Sequence, residues 1–128
     1  KASIVGEIAP NAEFYDYHAK YLDPDGARLL VPAPITSAQT RRVQELALAS
    51  FRALDLYGLA RVDFFMHKKT GAVYFNEPNT LPGFTPISMY PRLWRDSGVS
   101  TPRLVEALVA LALRRAARRR RLSTSPGR

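Results

Sequence analysis

Asp63, Glu77 and Asn79 are the residues of this chain best suited by type and spacing to do chemistry. They lie in two runs, Arg61-Val62-Asp63-Phe64-Phe65 and Val73-Tyr74-Phe75-Asn76-Glu77-Pro78-Asn79-Thr80. These read as the arms of a hairpin joined through Lys68-Lys69-Thr70-Gly71. If the turn centres near Thr70, Asp63 falls across from Glu77. Two carboxylates and an amide on one edge offer hard oxygen donors, which suit magnesium with waters and phosphate oxygens in its remaining positions. A plainer alternative stands beside this one: Asp63 pairs with Arg61 or Lys68 on a surface hairpin, and Asn79 only makes a turn. Glu77 weighs toward the metal, because it ends an apolar strand and leads into the Gly/Pro loop Leu81-Pro82-Gly83-Phe84-Thr85-Pro86. Cysteine is absent and the only histidines are His18 and His67, so no cluster suited to zinc is present.

The elements that must position these residues are legible in part. Ser3 to Ile8 reads as a short strand broken by Pro10 and Asn11. Glu13 to Pro34 is aromatic, polar and irregular, with a turn signal at Asp23-Pro24-Asp25-Gly26. A helix is expected over 37–55, with Thr36 as N-cap and Gln39 completing a capping box. Val43, Leu46, Ala47, Ser50, Phe51 and Leu54 form its buried stripe. The hairpin arms are 59–66 and 72–77. Alternation places Arg61, Asp63 and Phe65 on one face and Val62, Phe64 and Met66 on the other. A short helix from Ser88 to Ser97 ends at Gly98. A last helix, 102–118, takes Thr101 as N-cap and Pro102 as its first residue. Its apolar face is Leu104, Val105, Leu108, Leu111 and Ala112, and Ser123 to Arg128 should fray.

The chain has 128 residues, 46% of them hydrophobic, which is enough for one modest core. No apolar stretch approaches a membrane span. The net charge is +8, and residues 114–128 hold seven Arg and no acid, so the rest of the chain is close to neutral. A nucleic-acid-binding protein would spread basic groups over its folded face, so the Arg run makes nucleic acid a weak candidate as main partner.

Arg61-Val62-Asp63-Phe64-Phe65, Asn76-Glu77-Pro78-Asn79-Thr80-Leu81-Pro82-Gly83-Phe84-Thr85 and Ser88-Met89-Tyr90-Pro91 together resemble the C-terminal half of the D-alanine–D-alanine ligase family, within the ATP-grasp superfamily. Phe14-Tyr15-Asp16-Tyr17-His18-Ala19-Lys20-Tyr21 resembles that family's mobile active-site loop. The resemblance covers about residues 3 to 113. It implies an α+β fold: an incomplete ATP-grasp C-terminal subdomain with an antiparallel sheet packed against helices. Residues 1–113, with a mobile loop at 10–34, would form part of the catalytic domain, followed by a basic tail at 114–128.

The same resemblance implies a bacterial cytoplasmic enzyme joining two D-alanines for peptidoglycan. ATP phosphorylates one D-alanine carboxylate, and the amine of the second attacks the acyl phosphate. Asp63, Glu77 and Asn79 would hold two magnesium ions, with manganese as a substitute, and Glu77 would bridge them. Asn76 and Lys20 would lie beside ATP. Arg61 would contact the transferring phosphate and the oxyanion, with the Gly83 N–H supporting the latter. Ser88 and the N–H near Met89 would receive the carboxylate of the second D-alanine, and Tyr21 would help close the loop. Homodimers are implied. His18 stands where relatives usually carry an acid, and Pro78 where they carry a small aliphatic residue. The family's N-terminal portion is not in these residues, so the segment alone is expected to be inactive and to need that portion as a partner. Two readings compete: a related ligase using another amino acid or D-lactate as acceptor, and a basic nucleic-acid-binding module.

Overall fold

In the computed structural model, residues 1–10, 27–85 and 87–121 are described, with Pro10 and Ala27 by backbone alone. The elements run β1 (Glu7–Pro10), β2 (Ala27–Leu30), α1 (Ser37–Ala53), β3 (Arg61–Met66), β4 (Val73–Asn79), α2 (Met89–Asp96) and α3 (Thr101–Arg120). The fold is α+β. Among the described residues its antiparallel strands form two two-stranded sheets: β3–β4, which carries Asp63, Glu77 and Asn79 as expected, and β1–β2.

The first strand lies later than its apolar run suggests. The Ile4 N–H donates to Ser97 Oγ at 2.8 Å, and Val5 C=O accepts from the Ala33 N–H at 2.8 Å. The Ile4 N–H and Val5 C=O are therefore satisfied outside a ladder, and β1 starts at Glu7, where Leu30 offers a partner. Pro10 closes the strand instead of breaking it. It occupies the last pair, opposite Ala27, where a missing donor is tolerated. The stretch read as irregular up to Pro34 thus contains β2.

Thr36 caps α1 as its sequence indicates. Its Oγ1 accepts from the Gln39 N–H at 3.2 Å, and its own N–H donates to Gln39 Oε1 at 2.9 Å. Val43, Leu46, Ala47, Ser50 and Phe51 are half-buried, but Leu54 is exposed. Leu54 is the C-cap, beyond the stripe, and Asp55 turns the chain at φ 48°. The Asp55 N–H then donates to Arg52 C=O and the Leu56 N–H to Phe51 C=O, a Schellman closure.

Among the described residues Met89, Tyr90 and Leu104 are the buried hydrophobic core, joined by Pro82 and Pro91. The core therefore sits where the first turn of α2 meets α3 and the loop that precedes α2. The Tyr90 ring lies 5.5 Å from Phe84 and 6.5 Å from Trp94. The N-terminal segment packs beneath this region. A Cβ on Gly6 would lie 2.9 Å from Leu93 Cδ2 and 3.2 Å from both Met89 Sδ and Val31 Cγ2. Gly6→Ala should therefore overpack the base of α2 and cost about 1–3 kcal/mol, read as a lower denaturation midpoint. An unchanged midpoint would mean that α2 shifts freely.

The last helix begins one residue early. Ser100, not Thr101, is its N-cap, and Ser100 makes no side-chain cap bond. With Pro102 in the first turn, one donor that a cap would satisfy is missing. Leu104, Leu108 and Leu111 face inward, whereas Val105 and Ala112 are exposed. The far half leans on the loop after α1: Tyr57 OH donates to Leu111 C=O at 2.9 Å, and the Arg115 guanidinium lies 4.8 Å from the Tyr57 ring centroid.

Candidate active site

The hairpin brings its polar residues together by an irregularity. Asp63 pairs with Glu77 and Arg61 with Asn79, as a turn near Thr70 requires. Gly71, at φ 70°, supplies the left-handed residue of that turn. Phe64 pairs with Phe75, so Asn76 is an extra residue on β4, a bulge. Asn76 and Glu77 together oppose Asp63. In an unbroken strand Phe75 and Glu77 would share a face. The bulge instead lets Phe75 pack on Phe64, ring centroids 6.0 Å apart, while Glu77 turns to the side of Asp63.

Arg61 grips Asp63 along the same strand face. Its Nε donates to Oδ1 at 2.8 Å and Oδ2 at 3.2 Å, and its Nη2 donates to Oδ2 at 2.8 Å. Asn79 Oδ1 accepts from the Leu81 N–H at 3.0 Å, so it also shapes the turn out of β4. Both plainer roles foreseen for Asp63 and Asn79 are therefore present. By ligand type two carboxylates and an amide on one hairpin face fit a hard cation, but Asp63 Oδ1 and Oδ2 and Asn79 Oδ1 are already engaged in these hydrogen bonds. Among the described residues no three His, Cys, Asp or Glu side chains cluster.

The loop after β4 carries the second group. A Cβ on Gly83 would lie 2.8 Å from Ser88 Oγ, so the glycine backbone and the serine hydroxyl meet closely. Ser88 is the N-cap of α2 by position, yet its hydroxyl makes no cap bond. It instead accepts from the Thr85 N–H at 3.1 Å and shares a 2.8 Å hydrogen bond with Thr85 Oγ1. Sequence reasoning missed Thr85 as the partner that fixes Ser88; a threonine three residues before a helix cap was the available signal. Met89 and Tyr90 open the helix and Pro91 has no N–H, so the first turn directs two backbone N–H groups beyond the helix. Lys20, Tyr21 and His18 lie outside the described residues.

Burial pushes the Tyr90 phenol above its ordinary value, partly offset by a hydrogen bond with Trp94. A raised phenol contributes stability in full below the ordinary tyrosine range of about 10, and loses it as pH climbs through the folded value. Tyr90→Phe should flatten the alkaline limb of the stability–pH curve in denaturant titrations. If the limb persists unchanged, another group causes it.

A family profile described as the D-ala D-ala ligase C-terminus matches residues 1–110. The chain belongs to the D-alanine–D-alanine ligase family. Among curated members of this family, the D-alanine–D-alanine ligase of Geobacillus kaustophilus is 56% identical over 113 residues, 88% of this chain and 30% of that protein. The D-alanine–D-alanine ligase of Acetivibrio thermocellus is 54% identical over 114 residues, 89% of this chain and 30% of that protein. The chain thus spans about 30% of the length of these curated relatives. Among solved structures of ligases, the VanG D-Ala:D-Ser ligase from Enterococcus faecalis superposes with a TM-score of 0.74 at 36% identity, covering 85% of this chain and 31% of that one. The D-alanine–D-alanine ligase from Coxiella burnetii gives a TM-score of 0.71 at 37% identity, covering 73% and 27%. No helix among the described residues is long and apolar enough to cross a membrane.

Proposed function

We propose that this chain is the cation- and acceptor-binding part of an ATP-dependent ligase that joins two D-alanines for a bacterial, cytoplasmic peptidoglycan precursor. The observation that carries the reading is the pairing of Asp63 with Glu77 on a hairpin that runs directly into the Gly83–Ser88 contact. Family membership supports the same reading.

Asp63, Glu77 and Asn79 would hold magnesium, or manganese in its place. When bound, the cation neutralises phosphate charge while a carboxylate attacks. Asn76, beside Glu77 in the bulge, would face the nucleotide, and Lys20 would reach its phosphates. The Arg61 guanidinium would meet the transferring phosphate and then the tetrahedral oxyanion, where the Gly83 N–H can approach because no Cβ intervenes. The Ser88 hydroxyl and Met89 N–H would receive the carboxylate of the second D-alanine at the positive end of α2. Tyr21 would close over the substrates and exclude water from the acyl phosphate. The rest of the ligase and a second copy in a homodimer are the partners this reading implies.

The test is product analysis of the complete polypeptide with ATP and D-alanine. D-alanyl-D-alanine, ADP and phosphate in equal amounts are expected. ATP turnover that requires D-serine, D-lactate or another amino acid would keep the activation chemistry and replace the acceptor. No carboxylate-dependent ATP turnover under any of these conditions would overturn the reading.

A further inference from the structure

Both carboxylate oxygens of Asp63 are taken by one guanidinium, through three hydrogen bonds of 2.8–3.2 Å. The two side chains are only 18% and 21% exposed, so solvent weakens the pair less than it would at an open surface. We infer that Arg61, besides any contact with the reacting phosphate, withholds Asp63 from a bare divalent cation, and yields it when a phosphate-bearing ligand competes for the guanidinium. The identity of cation and phosphate rests on the ligase reading above; the exchange itself rests on the geometry of the pair.

The argument is one of competing partners. A planar guanidinium matches a carboxylate with parallel donors, a geometry that an ammonium cannot reproduce. A cation approaching the same oxygens must displace these hydrogen bonds and then sit beside a positive charge. Arg61 and Asp63 are two apart on one strand, so the backbone holds both on the same face and neither can retreat far. Phosphate oxygens offer the same fork an acceptor set of higher charge. The exchange then has two halves: the guanidinium moves to phosphate, and the carboxylate passes to the cation. Cation loading is thereby coupled to arrival of the phosphate, with no moving domain required.

Binding of Mn2+ alone to the full chain, followed by the electron paramagnetic resonance signal of the free ion, tests this. Arg61→Gln should bind Mn2+ about tenfold more tightly than the unaltered chain. Arg61→Lys keeps the charge and loses the fork, so it should fall between the two. An Arg61→Gln chain that binds no tighter overturns the inference. So does an Arg61→Lys chain that matches the unaltered one while Arg61→Gln binds tighter, since the field of the charge alone then explains the gain. Adding Asp63→Asn to Arg61→Gln should erase the gain. A gain that survives places the cation elsewhere and overturns the metal-site reading as well, which separates the two failures. One measurement needs no variant. The Arg61 Nε–H resonance should persist with Mg2+ alone and vanish or shift with Mg2+ and tripolyphosphate together. Loss with Mg2+ alone, or persistence under both, overturns the exchange.

Discussion

Glu77→Gln should lower kcat/KM of the complete ligase by on the order of 1,000-fold, or about 4 kcal/mol of transition-state stabilisation. The substitution keeps shape and removes charge. Glu77 stands opposite Asp63 in the bulged pair, and Asp63 already shares its charge with Arg61 at 2.8 Å. Loss of Glu77 therefore leaves Asp63 as the one carboxylate among the described residues of that hairpin face. Mn2+ affinity should fall with the rate, and the thermal midpoint should stay near that of the unaltered protein, because Glu77 is exposed. A variant with near-normal turnover would remove Glu77 from the catalytic set. Parallel measurement of rate and Mn2+ binding separates that outcome from a fault in folding.

Gly83→Ala should raise KM for the acceptor and reduce kcat/KM by about 100-fold, with a smaller effect on stability. The added methyl would meet Ser88 Oγ at 2.8 Å, closer than real Cβ contacts come. Ser88 cannot swing aside without breaking its hydrogen bonds to the Thr85 N–H and Thr85 Oγ1. The clash thus becomes a displacement of the group proposed to receive the substrate carboxylate. Combining Gly83→Ala with Ser88→Ala relieves the clash, so the double variant should do no worse than Ser88→Ala alone. Additive losses would mean that the glycine acts through its backbone N–H and not through the serine. Steady-state kinetics with varied D-alanine decides between them.

Local chemistry made much of this arrangement legible in the sequence. The capping box at Thr36 fixed the start of α1, because it depends on residues three positions apart, and a turn near Thr70 fixed Asp63 opposite Glu77, because a hairpin's register follows from where its turn lies. What stayed hidden depends on distant partners. The bulge at Asn76 exists because Phe75 must reach Phe64 while Glu77 turns away, a conflict that no single strand reveals. The delay of β1 to Glu7 reflects the Ile4 N–H donating to Ser97 Oγ and the Val5 C=O accepting from the Ala33 N–H. Arg61 was foreseen both as the partner of Asp63 and as a phosphate ligand. The structure contains the first arrangement; the second belongs to the proposed exchange. The proposed parts of Lys20 and Tyr21 fall on residues that the structure does not describe.

The segment Ser3–Gly6 reaches forward across most of the chain, through Ile4 N–H to Ser97 Oγ, Gln44 Nε2 to Ser3 C=O, and Gly6 against Leu93 and Met89. For anyone exchanging parts between relatives, this defines what must travel together. A graft of residues 61–97 would carry every proposed ligand of the hairpin and loop. It would also set a foreign Met89 and Leu93 on a Gly6 shaped for the old ones. Such a chimera should melt below both parents, and moving residues 3–6 along with the graft should restore its midpoint. The portable unit for altering acceptor choice is therefore discontinuous: a four-residue strap from the start of the chain and the hairpin–helix block it holds.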